Sequence, residues 1–252
     1  MSLIEQFNTE NRGGKPGYIV LLDPDKTPLE SASRTAAMCR EAGADMLFAG
    51  GSLLFSDRFD EWVQRVKASA GIPVILFPGN GYQLSSHADG LLFMSLISGR
   101  NPQFLIGEQV VSAPRVQAAG LETVAVAYML VGAGPPTSVE FMSDTKPIPP
   151  HKPDIAAAHA LAAGYLGFQM IYLEAGSGAA LSIPDAVVSA VCKAAKLPVI
   201  VGGGIKTPKE AAEKVQAGAS FVVTGNILES GRSAAKMREF ADAVHGSQAC
   251  RS

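Results

Sequence analysis

The chain has 252 residues, 47% of them hydrophobic and 26 of them glycine, with a formal net charge of −2. That length supports a well-buried core, and a near-neutral balance with few, scattered aromatic residues excludes an extended nucleic-acid surface. Cys39, Cys192 and Cys250 are far apart and show no CxxC spacing, which excludes a zinc knuckle or a disulfide framework. Met1 to Lys15 has no apolar signal core. No apolar run reaches the roughly 20 residues needed to span a bilayer. A cytoplasmic protein without a transmembrane segment is expected, with peripheral contact to membrane lipid left open.

Short apolar runs alternate with helical stretches along the whole chain. Strands are predicted at Tyr18–Leu22, Met46–Ala49, Val74–Phe77, Gly90–Met94, Thr123–Met129, Gln169–Leu173, Val199–Val201 and Phe221–Thr224. Most are near-continuous Val, Ile, Leu and Phe, as parallel strands covered on both faces must be. Helices are predicted at Leu29–Ala42, Arg58–Ala70, Pro102–Ala118, Pro153–Ala163, Pro184–Ala195, Pro208–Ala217 and Ser233–Val244. Four of them begin at a proline, which suits the first helical position because no intrahelical partner awaits its N–H there. Asn101 and Thr207 are good N-caps. Eight βα repeats favour a (β/α)8 TIM barrel in one domain over residues 1–252. One unit is irregular. The segment Pro78–Asp89, PGNGYQLSSHAD, is short and poor in helix formers, so a loop is expected where the helix after strand three would stand. Val131–Lys152 is a long Pro- and Gly-rich loop, expected to border the active site.

The chemistry gathers at strand ends. Val201-Gly-Gly-Gly-Ile-Lys-Thr-Pro208 follows strand seven, and Val223-Thr-Gly-Asn-Ile227 ends strand eight. Loops after these two strands commonly hold phosphate in such barrels. Glycines there let backbone N–H groups approach an anion without obstruction. Tight turns made only for packing are the alternative. Tyr172-Leu-Glu-Ala-Gly-Ser-Gly178 follows strand six and places Glu174 at a strand end, where a carboxylate can act as a general base or bind a hydroxyl. Leu22-Asp-Pro-Asp-Lys26 follows strand one. Its Asp23 and Asp25 are hard oxygen donors suited to Mg²⁺, although the same residues make a good turn and helix start. Ala49-Gly-Gly-Ser52 brings a hydroxyl to the same rim. The four histidines have no metal-ligand spacing, and Ser177 lacks a nucleophile-elbow pattern.

In this order, LDPDK, GGS, YLEAGSG, GGGIKTP and TGN resemble the geranylgeranylglyceryl phosphate synthases and their bacterial heptaprenylglyceryl phosphate synthase relatives, from about Tyr18 to Leu228. The missing third helix fits the same resemblance. It implies Mg²⁺-dependent transfer of a polyprenyl group from its diphosphate, with geranylgeranyl diphosphate the expected donor, to the 3-hydroxyl of sn-glycerol 1-phosphate. Asp23 and Ser52 match the family's metal positions. Tyr172, Leu173, Glu174, Ala175, Gly176, Ser177, Gly178, Gly203, Gly204, Gly225 and Asn226 match its glycerol-phosphate site, with Glu174 and Tyr172 as catalytic residues. A homo-oligomer, dimer or hexamer, is implied as well. Leu21 stands where some bacterial members carry lysine, which places the chain nearer the branch of archaeal and some bacterial members. An apolar groove for the chain is expected to draw on Leu53, Leu54, Phe55, Phe93, Leu96, Tyr128 and Leu130. The rival readings are another phosphate-site barrel enzyme acting on a small sugar phosphate, and a non-catalytic phospholipid- or phosphate-binding protein. No lysine on a core strand offers itself for a Schiff base, which counts against an aldolase.

Overall fold

The computed structural model of the protein describes residues 2–8, 13–132, 134–225 and 233–248. Its strands are β1 (Gly17–Leu22), β2 (Met46–Ala49), β3 (Val74–Leu76), β4 (Gly90–Leu96), β5 (Thr123–Leu130), β6 (Met170–Glu174), β7 (Val199–Gly202) and β8 (Phe221–Thr224). They close in sequence order, each parallel to the next, and β8 pairs with β1. All eight lie where the apolar runs place them, with ends differing by a residue or two. The helices of the outer layer are α2 (Leu29–Glu41), α3 (Phe59–Ala70), α4 (Glu108–Ala118), α6 (Pro153–Tyr165), α7 (Asp185–Ala194), α8 (Pro208–Gln216) and α9 (Ser233–His245). Among the described residues, no helix is long and apolar enough to cross a membrane.

Strand residues alternate between two buried layers. On β6, Ile171 and Leu173 pack outward against the helices, while Met170 and Tyr172 point into the barrel. Period-two alternation with both faces buried explains why the strands read as unbroken apolar runs.

Three features depart from the predicted elements. Residues 3–7 form a short helix, α1 (Leu3–Phe7), which enters the barrel from below. Phe7 is fully buried with ring centroids 5.4 Å from Phe221 and 6.3 Å from Phe48, and the Leu3 N–H donates to Glu122 Oε1 at 2.6 Å. The loop between β5 and β6 carries a further helix, α5 (Ser138–Ser143). The stretch expected as one helix from Pro102 begins instead with a π-helical turn at Gln103–Gly107, continuing into α4. Asn101 does cap it, accepting the Gln103 N–H at 3.0 Å. Pro153 and Pro208 occupy first-turn positions as expected, but Pro184 is the residue before α7 and Pro102 the residue before the π turn. No helix follows β3: residues 77–89 return to β4 as a loop.

Because the α1 plug completes the lower barrel core, Phe7→Ala is expected to cost about 3 kcal/mol of stability by opening a cavity between Phe48 and Phe221. Urea denaturation measures this, and an unchanged midpoint would show that the plug is dispensable.

Candidate active site

The C-terminal ends of β1, β2, β6, β7 and β8 surround one polar cavity at the top of the barrel. At its floor three rings stack: Phe77 lies 5.0 Å from Tyr172 between centroids, and Tyr128 lies 5.4 Å from Tyr172. Glu174 ends β6 just above them and is only 6% exposed. A carboxylate in so dry a place must be satisfied by hydrogen bonds. The Gly176 N–H donates to Glu174 Oε1 at 2.6 Å, and the Tyr172 hydroxyl hydrogen-bonds to the same carboxylate. Burial pushes the Glu174 pKa up to about 7, and the two hydrogen bonds pull the other way. Burial, then the nearby Glu174 charge, holds the Tyr172 and Tyr128 hydroxyls well above the ordinary tyrosine value. Glu174 is therefore the group here that can exchange a proton near neutrality.

Glycines make room for this arrangement. A Cβ on Gly202 would lie 2.3 Å from the Tyr172 hydroxyl, and one on Gly203 would lie 2.3 Å from Glu174 Oε1. Gly203 and Gly204 also have φ of +80° and +67°, so their N–H groups turn in a way that side-chain-bearing residues rarely allow. With Gly178 and Gly225 they rim the cavity, forming a concave, N–H-rich edge suited to an anion. Lys206 Nζ donates to the Ala180 carbonyl at 2.7 Å and pins the facing loop.

The sequence-predicted residues separate into groups. Tyr172, Glu174, Ser177, Gly178, Gly203, Gly204 and Gly225 line the cavity, as do Asp23 and Ser52. Leu173 and Ala175 do not line it: their side chains pack into the outer core, because inward and outward positions alternate along β6. Gly176 is beside the cavity, but its N–H is committed to Glu174. Asn226 lies outside the described residues. Asp25, expected as a metal donor alongside Asp23, is engaged otherwise. Its carboxylate accepts the Phe55 N–H at 2.8 Å and the Ser56 N–H at 3.0 Å, tying down the loop after β2. Leu21 lines the cavity too, its side chain against Gly225.

A second, largely apolar cavity opens where a helix after β3 would have packed. Leu84, Leu91, Leu92, Phe93, Met94, Leu96, Phe104, Val116 and Met142 line it. Of the groove residues expected from sequence, Phe93, Leu96 and Tyr128 are there. Leu53 and Phe55 instead face the polar cavity, Leu54 packs on the outer core and Leu130 fills the barrel interior. The missed residues come from β4, whose position was expected but not its place in the groove, and from α4, the π turn, α5 and the interrupted third unit, whose geometry no local pattern reveals. Gly51, Ser52, Phe77, Tyr128 and Val139 belong to both cavities, so the two join there. Val139 is on α5, which confirms that the Val131–Lys152 loop borders the site.

Fold and site together define a (β/α)8 barrel in which a buried carboxylate stands between a glycine-rimmed cavity and an apolar groove. More specifically, the chain belongs to the PcrB family, whose pattern matches residues 8–244. It is 44% identical to geranylgeranylglyceryl phosphate synthase of Chitinophaga pinensis over 96% of each chain. It is 42% identical to the synthase of the same name from Pyrococcus furiosus over 94% of each. The crystal structure of (S)-3-O-geranylgeranylglyceryl phosphate synthase from Thermoplasma acidophilum, in complex with its substrate sn-glycerol-1-phosphate, superposes with a TM-score of 0.91. That structure is 33% identical, covering 98% of this chain and 99% of the other.

Burying Glu174 has a cost that depends on pH. Its folded pKa, about 7, exceeds the ordinary carboxyl value of 4.5, so its contribution favours folding most below pH 4.5 and is lost as pH rises through 7. Glu174→Gln, which stays neutral, should therefore be more stable than wild type at pH 8, by on the order of 3 kcal/mol. The difference should vanish below about pH 4.5. Chemical denaturation at both pH values checks this; equal stability at pH 8 would show that the carboxylate is not desolvated.

Proposed function

We propose that this chain joins a polyprenyl diphosphate, geranylgeranyl diphosphate first, to the 3-hydroxyl of sn-glycerol 1-phosphate as an ether and releases diphosphate. The observation that carries the reading is the meeting of an apolar groove and an anion-binding cavity at Gly51 and Ser52, beside a buried carboxylate. An enzyme acting on a small sugar phosphate has no use for such a groove. The relatives' names and the sn-glycerol-1-phosphate in the Thermoplasma structure support the same reading.

The glycerol phosphate's anion rests on the N–H groups of the loops after β6, β7 and β8, which fixes its free hydroxyl near Glu174 before reaction. The prenyl chain lies in the groove, driven there by burial of apolar surface, with its diphosphate on the Asp23–Ser52 side. The C1–O bond to diphosphate breaks with its electron pair leaving on the diphosphate. The glycerol oxygen then bonds to C1, and its proton passes to Glu174. A carboxylate with a pKa near 7 can both accept that proton and release it afterwards. Tyr172 holds Glu174 in place by its hydrogen bond. Phe77 and Tyr128, whose rings line the junction, offer π faces to the positive charge that develops at C1.

Mg²⁺ belongs to this proposal. A Cβ on Gly51 would sit 3.4 Å from Cγ and both oxygens of Asp23, so the carboxylate lies against the bare backbone beside Ser52 in the chain, its Oδ1 also accepting the Asp25 N–H at 3.0 Å. Among the described residues no group of three or more His, Cys, Asp or Glu could hold a metal. Asp23 and Ser52 would thus form a partial shell, the kind that Mg²⁺ completes with water and substrate phosphate oxygens. When bound, Mg²⁺ supplies charge neutralisation for the leaving diphosphate. A cytoplasmic, homo-oligomeric enzyme is part of the same reading. Free Cys39, buried, and Cys192, half-buried, suit a reducing compartment, and exposed Ile106, Val110 and Val111 suit a covering second copy.

With labelled sn-glycerol 1-phosphate, Mg²⁺ and prenyl diphosphates of increasing length, an organic-extractable product is expected that EDTA abolishes and Asp23→Ala reduces by roughly 100-fold or more. Absence of product at every chain length, from folded protein that binds glycerol phosphate, would overturn the proposal.

A further inference from the structure

Gln83 sits in the loop that replaces the third helix, and the chemistry above makes no use of it. It is fully buried, and both ends of its amide are spent on one residue. Its Oε1 accepts the Gly51 N–H at 3.1 Å, and its Nε2 donates to the Gly51 carbonyl at 2.8 Å. An amide that accepts from and donates to one residue's main chain does what a neighbouring strand would do. Such a substitute is needed here. The ladder between β2 and β3 ends with the Phe77 N–H on the Ala49 carbonyl at 2.9 Å, and β3 then turns away.

The approach is close. A Cβ on Gly50 would lie 2.1 Å from the Phe77 carbonyl oxygen, and one on Gly79 would lie 2.3 Å from the Gly51 carbonyl oxygen and 2.9 Å from that of Ser52. The clamp is itself braced. The Tyr82 N–H donates to Asn80 Oδ1 at 3.0 Å, the Gln83 N–H to the Asn80 carbonyl at 3.2 Å, and Arg115 Nη1 to the Gly81 carbonyl at 2.7 Å. Residues 79–81 and Leu84 are groove wall, while Gly51 and Ser52 belong to both cavities.

We infer that Gln83 is a positioning residue for the prenyl diphosphate. Through Gly51 it holds Ser52 opposite Asp23, and it ties that polar corner to the groove wall so that diphosphate and chain subsites keep one register. This rests on the function proposed above. It assigns Gln83 to the donor half of the site; its amide bonds do not reach the loops after β6, β7 and β8 that cradle the glycerol phosphate.

The test is Gln83→Met, which keeps length and loses both bonds, in calorimetric titrations with pyrophosphate plus Mg²⁺ and, separately, with sn-glycerol 1-phosphate. Steady-state kinetics accompany them. Leaving both polar groups of Gly51 unpaired should weaken pyrophosphate binding, and raise KM for the prenyl diphosphate, by roughly tenfold. The Kd for glycerol phosphate should stay within about twofold of wild type. Because the effect runs through Ser52, Gln83→Met added to Ser52→Ala should cost little beyond Ser52→Ala alone. Equal losses for both ligands, or additive losses with Ser52→Ala, would overturn the inference and leave Gln83 a packing residue. If Gln83→Met does not fold, Gln83→Glu, which keeps an acceptor for the Gly51 N–H, must show the same donor-selective loss. Wild-type protein that binds glycerol phosphate but not pyrophosphate would overturn the donor site itself, and this inference with it.

Discussion

The structure turns on one constraint: Glu174 keeps a carboxylate out of water above three aromatic rings. Desolvation alone would hold it neutral. The hydrogen bonds from the Gly176 N–H and the Tyr172 hydroxyl offset part of that cost and leave the group near pH 7, where it can change state. Much of the surrounding sequence answers to this placement. Gly176 brings its N–H round with φ of +102°, and Gly202 and Gly203 are bare because Tyr172 and Glu174 occupy the space their side chains would take. Gly203, with Gly204 beside it, then borders the cavity with bare backbone. The run Gly202–Gly204 thus makes room for Tyr172 and Glu174 and helps to rim the cavity.

The second organising fact is an element left out. A barrel of eight βα units normally covers every strand face with a helix, but the unit after β3 returns as a loop. The uncovered flank becomes an apolar cavity walled by β4, the π turn and α4. Where β3 turns away into that loop, the end of β2 also loses its ladder partner. The buried Gln83 amide takes that partner's place at Gly51, so the loop opens the groove and steadies the residues at its mouth.

Much of this was legible in the sequence. Parallel strands buried on both faces must be continuous apolar runs, so all eight were visible. Glycines and a carboxylate at strand ends marked the cavity, because their roles follow from local backbone demands. The poor helix formers of residues 78–89 revealed the missing helix. What escaped depends on contacts distant in sequence. α1 has five residues, too few to show a period, although the Ser2–Glu5 spacing was a capping signal: the Ser2 N–H donates to Glu5 Oε2 at 2.6 Å. α5 is hidden in a Pro- and Gly-rich loop. Asp25 reads as a metal donor until the Phe55 and Ser56 amides are seen on it. Gln83 is an ordinary polar residue until Gly51 is found beside it. The groove's lining comes from elements whose relative placement no single segment encodes.

The central claim is that the buried Glu174 takes the proton. The most direct measurement is kcat/KM for sn-glycerol 1-phosphate as a function of pH, for wild type and Glu174→Gln at saturating prenyl diphosphate. The wild-type rate should fall tenfold per pH unit below about pH 7, the value burial gives Glu174. The variant should retain only a small residual rate with that limb absent. An acid limb near the ordinary carboxyl value, or the same limb persisting in Glu174→Gln, would contradict the account and assign the proton to another group.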